Sequence, residues 1–222
     1  MKGRQRIEAA LGHVFRRGEL LDQALTHRSF AAAHNERLEF LGDAVLNCCI
    51  AAWLYRHHGD LSEGELSRHR ATLVCQRALV AVATRLTLGD CLRLGEGELK
   101  SGGATRPSIL ADALEALIGA VFLDADFATA VQVVERLWQP QLAAFDPRRS
   151  VKDAKTVLQE VLQGRRLPLP IYTLLATEGA AHAQRFTVQC HIEPLDIRVT
   201  GQGSSRRLAE QAAAQAAMEH LA

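Results

Sequence analysis

Residues 108–124, SILADALEALIGAVFLD, are apolar on almost every side of a helix. A helix of that composition is buried nearly all round, so the chain has to build a helical core about it. Two carboxylates interrupt the stretch, Asp112 and Glu115, three residues apart and therefore on one face. Burying two neighbouring carboxylates costs several kcal/mol unless cations offset the charge, and this helix carries no Lys or Arg.

A second acidic stretch, NERLEFLGDAV at 35–45, reads as an amphipathic helix. At about 100° per residue, Glu36, Glu39 and Asp43 fall in a sector of about 60°, with Leu38, Leu41 and Val45 nearly opposite. No basic residue stands four positions after any of the three: those positions are Phe40, Asp43 and Asn47. Like charges so close repel. Alone, the stripe is compatible with a solvated face or with a site that needs concentrated negative charge. Packed against the 108–124 helix, it would bring four or five carboxylates towards one point. Hard oxygen ligands with no His or Cys among them select Mg²⁺ or Mn²⁺. Occupied by such ions, the cluster would supply the two-metal chemistry of nucleases. Phe40 lies beside the acids on the wheel, where a monomer would expose it and a second subunit could bury it.

The organisation follows from periodicity. From residue 4 to about 145, apolar residues recur every three or four positions; helices are expected at 4–11, 19–26, 35–58, 63–73, 75–87, 108–123 and 127–144. Ser62 with Glu65 forms a capping box, and Ser108 is a plausible N-cap after Pro107. LGEGELKSGGATRPS (94–108) reads as a glycine-rich loop and FDPRRSVKDAK (145–155) as a linker. Beyond it, a helix over 153–166 stops at Gly164. Three strands follow, PIYTLLAT, QRFTVQCHI and LDIRVTGQG, and then an alanine-rich helix over 204–222 whose alanines suit close packing on a sheet. The expected fold is thus two domains, an all-α domain at 1–146 and an α+β domain of order α-β-β-β-α at 153–222, joined by a linker at 147–152.

Charge divides along the same boundary. Residues 1–147 hold 16 Lys/Arg against 18 Asp/Glu, and residues 148–222 hold 10 against 7. Arginine outnumbers lysine 22 to 4, which base composition explains more readily than phosphate recognition. Five cysteines form an odd set without a C-x-x-C pair and suit buried free thiols in a reducing compartment. His57 and His58 lack metal-ligand spacing. No apolar run is seen to approach the roughly 18 residues of a membrane span, and no h-region opens the chain, so a cytoplasmic protein without membrane association or organic cofactor is expected.

Several stretches resemble the ribonuclease III family: HNERLEFLGDAVL (34–46), LKSGG (99–103) and SILADALEALIGAVFLD match its catalytic blocks. TVLQEVLQG, GAAHAQRFTVQC and GQGSSRRLAEQAAA are similar to its double-stranded-RNA-binding domain. The resemblance spans nearly the whole chain, in the bacterial order of one endonuclease domain followed by one binding domain. It implies a homodimeric, Mg²⁺-dependent endoribonuclease that cuts double-stranded RNA to 5′-phosphate and 3′-hydroxyl ends with short 3′ overhangs, in ribosomal RNA and mRNA processing. By the same resemblance Glu39, Asp43, Asp112 and Glu115 form the metal cluster, with Asp43 and Glu115 closest to hydrolysis. Glu36 and Glu63 take further acidic positions of the cleft, and Phe40 plugs into the partner subunit.

The A-form minor groove is shallow and lined with 2′-hydroxyls, while the major groove is too narrow for side chains to read. Thr156, Gln159 and Glu160 would offer one helix face to those hydroxyls, and His182 on a hairpin loop would reach a second minor groove. Arg206 and Arg207 open the last helix, where cations and backbone N–H groups can bind phosphates. A solvated helix face accounts for Gln159 and Glu160 as well if the resemblance is set aside. Leu208 and Glu210 depart from the family pattern at positions often basic, which would soften affinity more than chemistry. The alternative is a non-catalytic double-stranded-RNA-binding protein, whose mark would be lost carboxylates; none is lost here.

Overall fold

The computed structural model describes residues 2–147, 154–179 and 184–221. The chain forms two compact units, Met1–Arg149 and Ser150–Ala222. The first is helical: α1 (Lys2–Leu11), α2 (Gly18–Ala24), α3 (Glu36–His57), α4 (Glu63–Leu73), α5 (Gln76–Arg85), α6 (Glu96–Lys100), α7 (Pro107–Asp124) and α8 (Phe127–Ala143). The second is α9 (Ala154–Gly164), β1 (Ile171–Glu178), β2 (Arg185–Ile192), β3 (Ile197–Gly203) and α10 (Arg206–Glu219).

The apolar helix α7 is the axis of the first unit. Ala113, Leu114, Ala116, Leu117, Ala120 and Val121 are wholly buried, and α2, α3, α5 and α8 all pack on it. The α3–α7 pairing is the most extensive helix contact among the described residues. It is set by two glycines. A Cβ on Gly42 would overlap the carbonyl oxygen of Glu115, and one on Gly119 would overlap that of Leu38. Backbone therefore meets backbone where the helices cross, an approach that only glycine permits.

Local signals act as elementary chemistry dictates. Glu65 accepts the backbone N–H of Ser62 at 2.9 Å, half of the capping box at the start of α4. Arg106 is the N-cap of α7 and Pro107 its first residue, so Ser108 lies inside the helix; the fixed φ of proline suits that first position, where its missing N–H costs nothing. The loop at 94–108 contains α6 and a single 3₁₀ turn at Gly103–Thr105. Trp138 seats α8 by donating its indole N–H to the Leu73 carbonyl at 2.9 Å.

At the end of α7, buried Asp124 accepts the backbone N–H groups of Arg16 (3.0 Å) and Arg17 (2.8 Å) and bonds His13 Nε2 (2.9 Å). Burial would raise its pKa, but these donors together hold it below the usual carboxylate value. The stretch ahead of α2 is thereby tied to α7.

α3 meets the length and composition of a membrane span, with a mean hydropathy of 1.3 over 18 residues, contrary to the reading of the sequence. Leu38, Val45, Leu46, Cys49, Ile50 and Leu54 of α3 are instead buried in the helical core, and its acids occupy the first half. The cysteines are free, as expected, but Cys48 is exposed on α3 while Cys49 and Cys190 are buried.

In the second unit the strands form an antiparallel sheet in the order β1-β2-β3, with a register shift between Leu174 and Ala176. Val188, Cys190 and Ile192 alternate into the core, on the side covered by α9 and α10. Ala209, Ala213, Ala214 and Ala217 are the buried face of α10. A Cβ on Gly201 or Gly203 would collide with the backbone of α10, so the alanines mark close packing on a sheet.

Both tryptophans, Trp53 and Trp138, lie in the helical unit, so their fluorescence follows that unit alone. Gly42→Ala should lower its stability by about 2 kcal/mol or more in urea, through enforced separation of α3 and α7. Gly97→Ala, where a Cβ would meet nothing within 4 Å, should be neutral or stabilising by up to about 1 kcal/mol. Equal effects of the two substitutions would count against the glycine crossing.

Candidate active site and nucleic-acid interface

Where α3 crosses α7, carboxylate oxygens of Glu39, Asp112 and Glu115 lie within 4.8 Å of one another. None of the three makes an ion pair among the described residues. All three have raised pKa values. Glu115 is pushed up to about 8, first by burial and then by the charges of Asp43, Asp112 and Glu39. Glu39 is raised by burial and by Asp112, Glu36 and Asp43. Asp112 is raised by burial, with His27 partly opposing. Three acids held together without a cation resist ionisation, since each charge opposes the next.

The other acids stand around this set. Asp43 is exposed, and its Oδ1 accepts from Asn47 Nδ2 at 2.9 Å; its charge reaches Glu115 and Glu39, but it is outside the 4.8 Å group. Glu36 pairs with Arg28 at 3.3 Å. Glu63 accepts from Ser67 Oγ at 2.8 Å and lines a different depression of about 520 Å³, beside Cys48, Tyr55 and Leu66. Phe40 is 82% exposed and borders an apolar hollow with Leu20, Leu41 and Leu123.

Glu39 and Asp112 open into a depression of about 420 Å³ that Glu36, His27, Arg28, Glu98, Arg106 and Ser108 also line. Reading the sequence for acids alone missed the cationic rim. Arg106 is paired with Glu98 at 2.5 Å across the 94–108 segment, and Arg28 with Glu36. The signal was present in the basic residues flanking each acidic block, but spacing along the chain does not reveal which of them face the same hollow. The crossing glycines were missed too. A lone glycine inside a helical pattern costs about 1 kcal/mol and so asks for a packing reason.

Three clustered carboxylates with no internal cation and a solvent-open mouth fit a hard divalent ion through oxygen ligands. His and Cys donors are absent from the cluster, which does not suit zinc.

In the second unit Thr156, Gln159 and Glu160 share the exposed side of α9, whose Leu158 and Leu162 are buried. His182 lies outside the described residues. Arg206 and Arg207 open α10, capped by the Ser205 hydroxyl accepting from the Leu208 N–H at 3.3 Å. Glu210 takes both Lys155 (2.7 Å) and Arg206 (3.0 Å), chiefly the lysine, and its pKa is lowered. Glu210 therefore neutralises part of the basic face and ties α9 to α10.

Residues 17–142 match the ribonuclease-III-like family and residues 154–221 the double-stranded RNA binding motif. The chain is 59% identical over 215 residues to ribonuclease 3 of Cupriavidus taiwanensis, covering 97% of this chain and 84% of that one. With ribonuclease 3 of Aromatoleum aromaticum it shares 56% identity over 216 residues, 97% and 96% of the two chains. The nuclease domain of ribonuclease III from Campylobacter jejuni superposes with a TM-score of 0.63 at 41% identity, over 66% of this chain and all of that domain. The chain belongs to the ribonuclease III family and is a ribonuclease III enzyme, a helical nuclease unit followed by a double-stranded-RNA-binding motif.

The raised pKa of Glu115 carries a consequence for stability without metal. Its folded value, about 8, exceeds its ordinary 4.5, so the folded protein holds a proton that the unfolded chain releases. Stability should therefore fall as pH rises between those two values. Thermal melts in chelator should show this loss from pH 5 to 9. Glu115→Gln should flatten the profile and melt higher than the parent at pH 9. A variant whose melt tracks the parent across the range would place the titration elsewhere.

Proposed function

We propose that this protein is a divalent-metal-dependent endoribonuclease that hydrolyses double-stranded RNA. The convergence of Glu39, Asp112 and Glu115, with no ion-pair partner among the described residues, is the observation that carries the reading. Those three and Asp43 would hold the ion, Mg²⁺ by preference with Mn²⁺ as a substitute, because each donor is a carboxylate oxygen. Bound there, the ion supplies Lewis-acid stabilisation of charge developing on the phosphodiester and lowers the pKa of water.

The chain's own residues do the rest. Asp43 and Glu115 are tied most directly to hydrolysis and Glu36 lines the same cleft, whereas Glu63, which lines another depression, is left out of this role. Arg28 and Arg106, held in reserve by Glu36 and Glu98, can turn their guanidiniums to backbone phosphates that the acids would otherwise repel. Water adds to phosphorus in line as the bond to O3′ breaks, which leaves a 5′-phosphate and a 3′-hydroxyl. The second unit retains the duplex through Thr156, Gln159, Glu160, His182, Arg206 and Arg207, reading A-form shape.

Two nuclease units working as a homodimer would cut both strands and leave short 3′ overhangs. Phe40, large, apolar and exposed, is the contact we assign to the partner subunit; dimer formation is named for the Campylobacter jejuni nuclease domain. Substrates would be the stems of ribosomal precursors and structured messages, in the cytoplasm. The two structural units correspond in this reading to a nuclease domain at 1–146 and a binding domain at 153–222 about a linker at 147–152.

Glu115→Gln should bind a long RNA duplex normally without metal, yet cleave it in Mg²⁺ slower by several orders of magnitude. Near-native cleavage by this variant would sink the site assignment. In sedimentation, Phe40→Ala should shift the protein towards the mass of one chain; an unchanged dimer would remove Phe40 from the interface.

A further inference from the structure

The antiparallel order of the sheet places four chain positions at one end of the second unit. β1 ends there at Glu178, β2 begins at Arg185, β3 ends at Gly203 and α10 begins at Arg206. At that end Gln184, Arg185, Gln202, Gly203 and Ser204 line a depression of about 450 Å³. Its side chains are two amides, a guanidinium and a hydroxyl, with no carboxylate among them.

Arg185 is exposed and makes no ion pair among the described residues, although Glu178 stands opposite it in the β1–β2 register. Its neighbours at the helix start are differently placed. Arg206 is held by Glu210 at 3.0 Å. Leu208 is 53% exposed and carries no charge. Arg207 is exposed and has no ion pair among the described residues. The arginines at this end with no ion pair among the described residues are thus Arg185 and Arg207, the first lining the same depression as Ser204 and the second following the Ser204–Ser205 turn. Phe186 pairs with Gly203, and Gly203 lies against Leu208 and Ala209 of α10, so the two arginines are fixed to adjacent backbone.

We propose that Arg185, with the amides of Gln184 and Gln202 and the Ser204 hydroxyl, forms a backbone-phosphate subsite that acts together with Arg207 on the same RNA duplex. The proposal rests on the double-stranded-RNA reading of the second unit. A guanidinium without a carboxylate partner loses no internal ion pair on meeting a phosphate, and the amides and hydroxyl supply donors beside it. The subsite is indifferent to base sequence, because its donors address phosphate oxygens.

The test is fluorescence anisotropy of the full-length protein on a 30-base-pair RNA duplex in EDTA, across a range of KCl. Arg185→Gln should weaken binding several-fold near physiological salt and reduce the slope of log affinity against log salt by about one. Arg185→Lys should keep the slope. Arg207→Gln serves as the reference. If Arg207→Gln loses affinity while Arg185→Gln binds with the parent's slope, the subsite is wrong and the RNA-binding reading stands. If both bind as the parent does, the assignment of this end of the unit to the duplex fails as well.

Discussion

Acids on two helices can reach a common point only if the helices come closer than side chains usually allow. Here Gly42 and Gly119 remove the obstruction, each turning its bare backbone to a carbonyl of the other helix. Everything at the site follows from that approach. Glu39 precedes Gly42 by one turn on α3. Asp112 and Glu115 lie within two turns before Gly119 on α7, so the crossing brings the three carboxylates within 4.8 Å. The close contact is gained at the cost of electrostatic strain, visible as a Glu115 pKa near 8.

The surrounding structure makes that strain tolerable. α7 is locked by a wholly apolar core and, through Asp124, by two backbone N–H groups and a histidine from the stretch ahead of α2. A rigid axis of this kind cannot relax to separate its acids, so the repulsion persists until a proton or a cation relieves it. The neighbouring arginines do not relieve it, because Glu36 and Glu98 engage them at the rim. Concentrated negative charge and nearby latched positive charge are what a site for a polyanion and a hard cation has to combine.

The second unit uses small residues in a related way. Gly201 and Gly203 let the alanine face of α10 press on β3, which fixes where the helix begins and hence where Arg206 and Arg207 point. Glu210 then divides the cations, pairing with Arg206 and Lys155 and leaving Arg207 and Arg185 without an ion pair among the described residues.

Most helix and strand identity was legible in the sequence, since periodicity is local: 63–73 and the three strands are found where the pattern puts them, and the fold class follows, whereas the five-residue α6 lay inside what read as a glycine-rich loop, too short to show a period. The acidic stripe of α3 and the acid pair of α7 were legible as faces of helices. A helical wheel fixes angles and says nothing of where along their lengths two helices cross. The tertiary structure alone decided that Glu39 joins Asp112 and Glu115 most closely, that Asp43 stands just outside with Asn47, and that Glu63 lines another hollow. Likewise, sequence placed Arg206 and Arg207 at a helix start with Glu210 one turn after Arg206, and only packing of α9 against α10 brought Lys155 to the same carboxylate. Periodicity is a property of neighbours in the chain, whereas charge pairing depends on distances between segments that only the folded backbone sets.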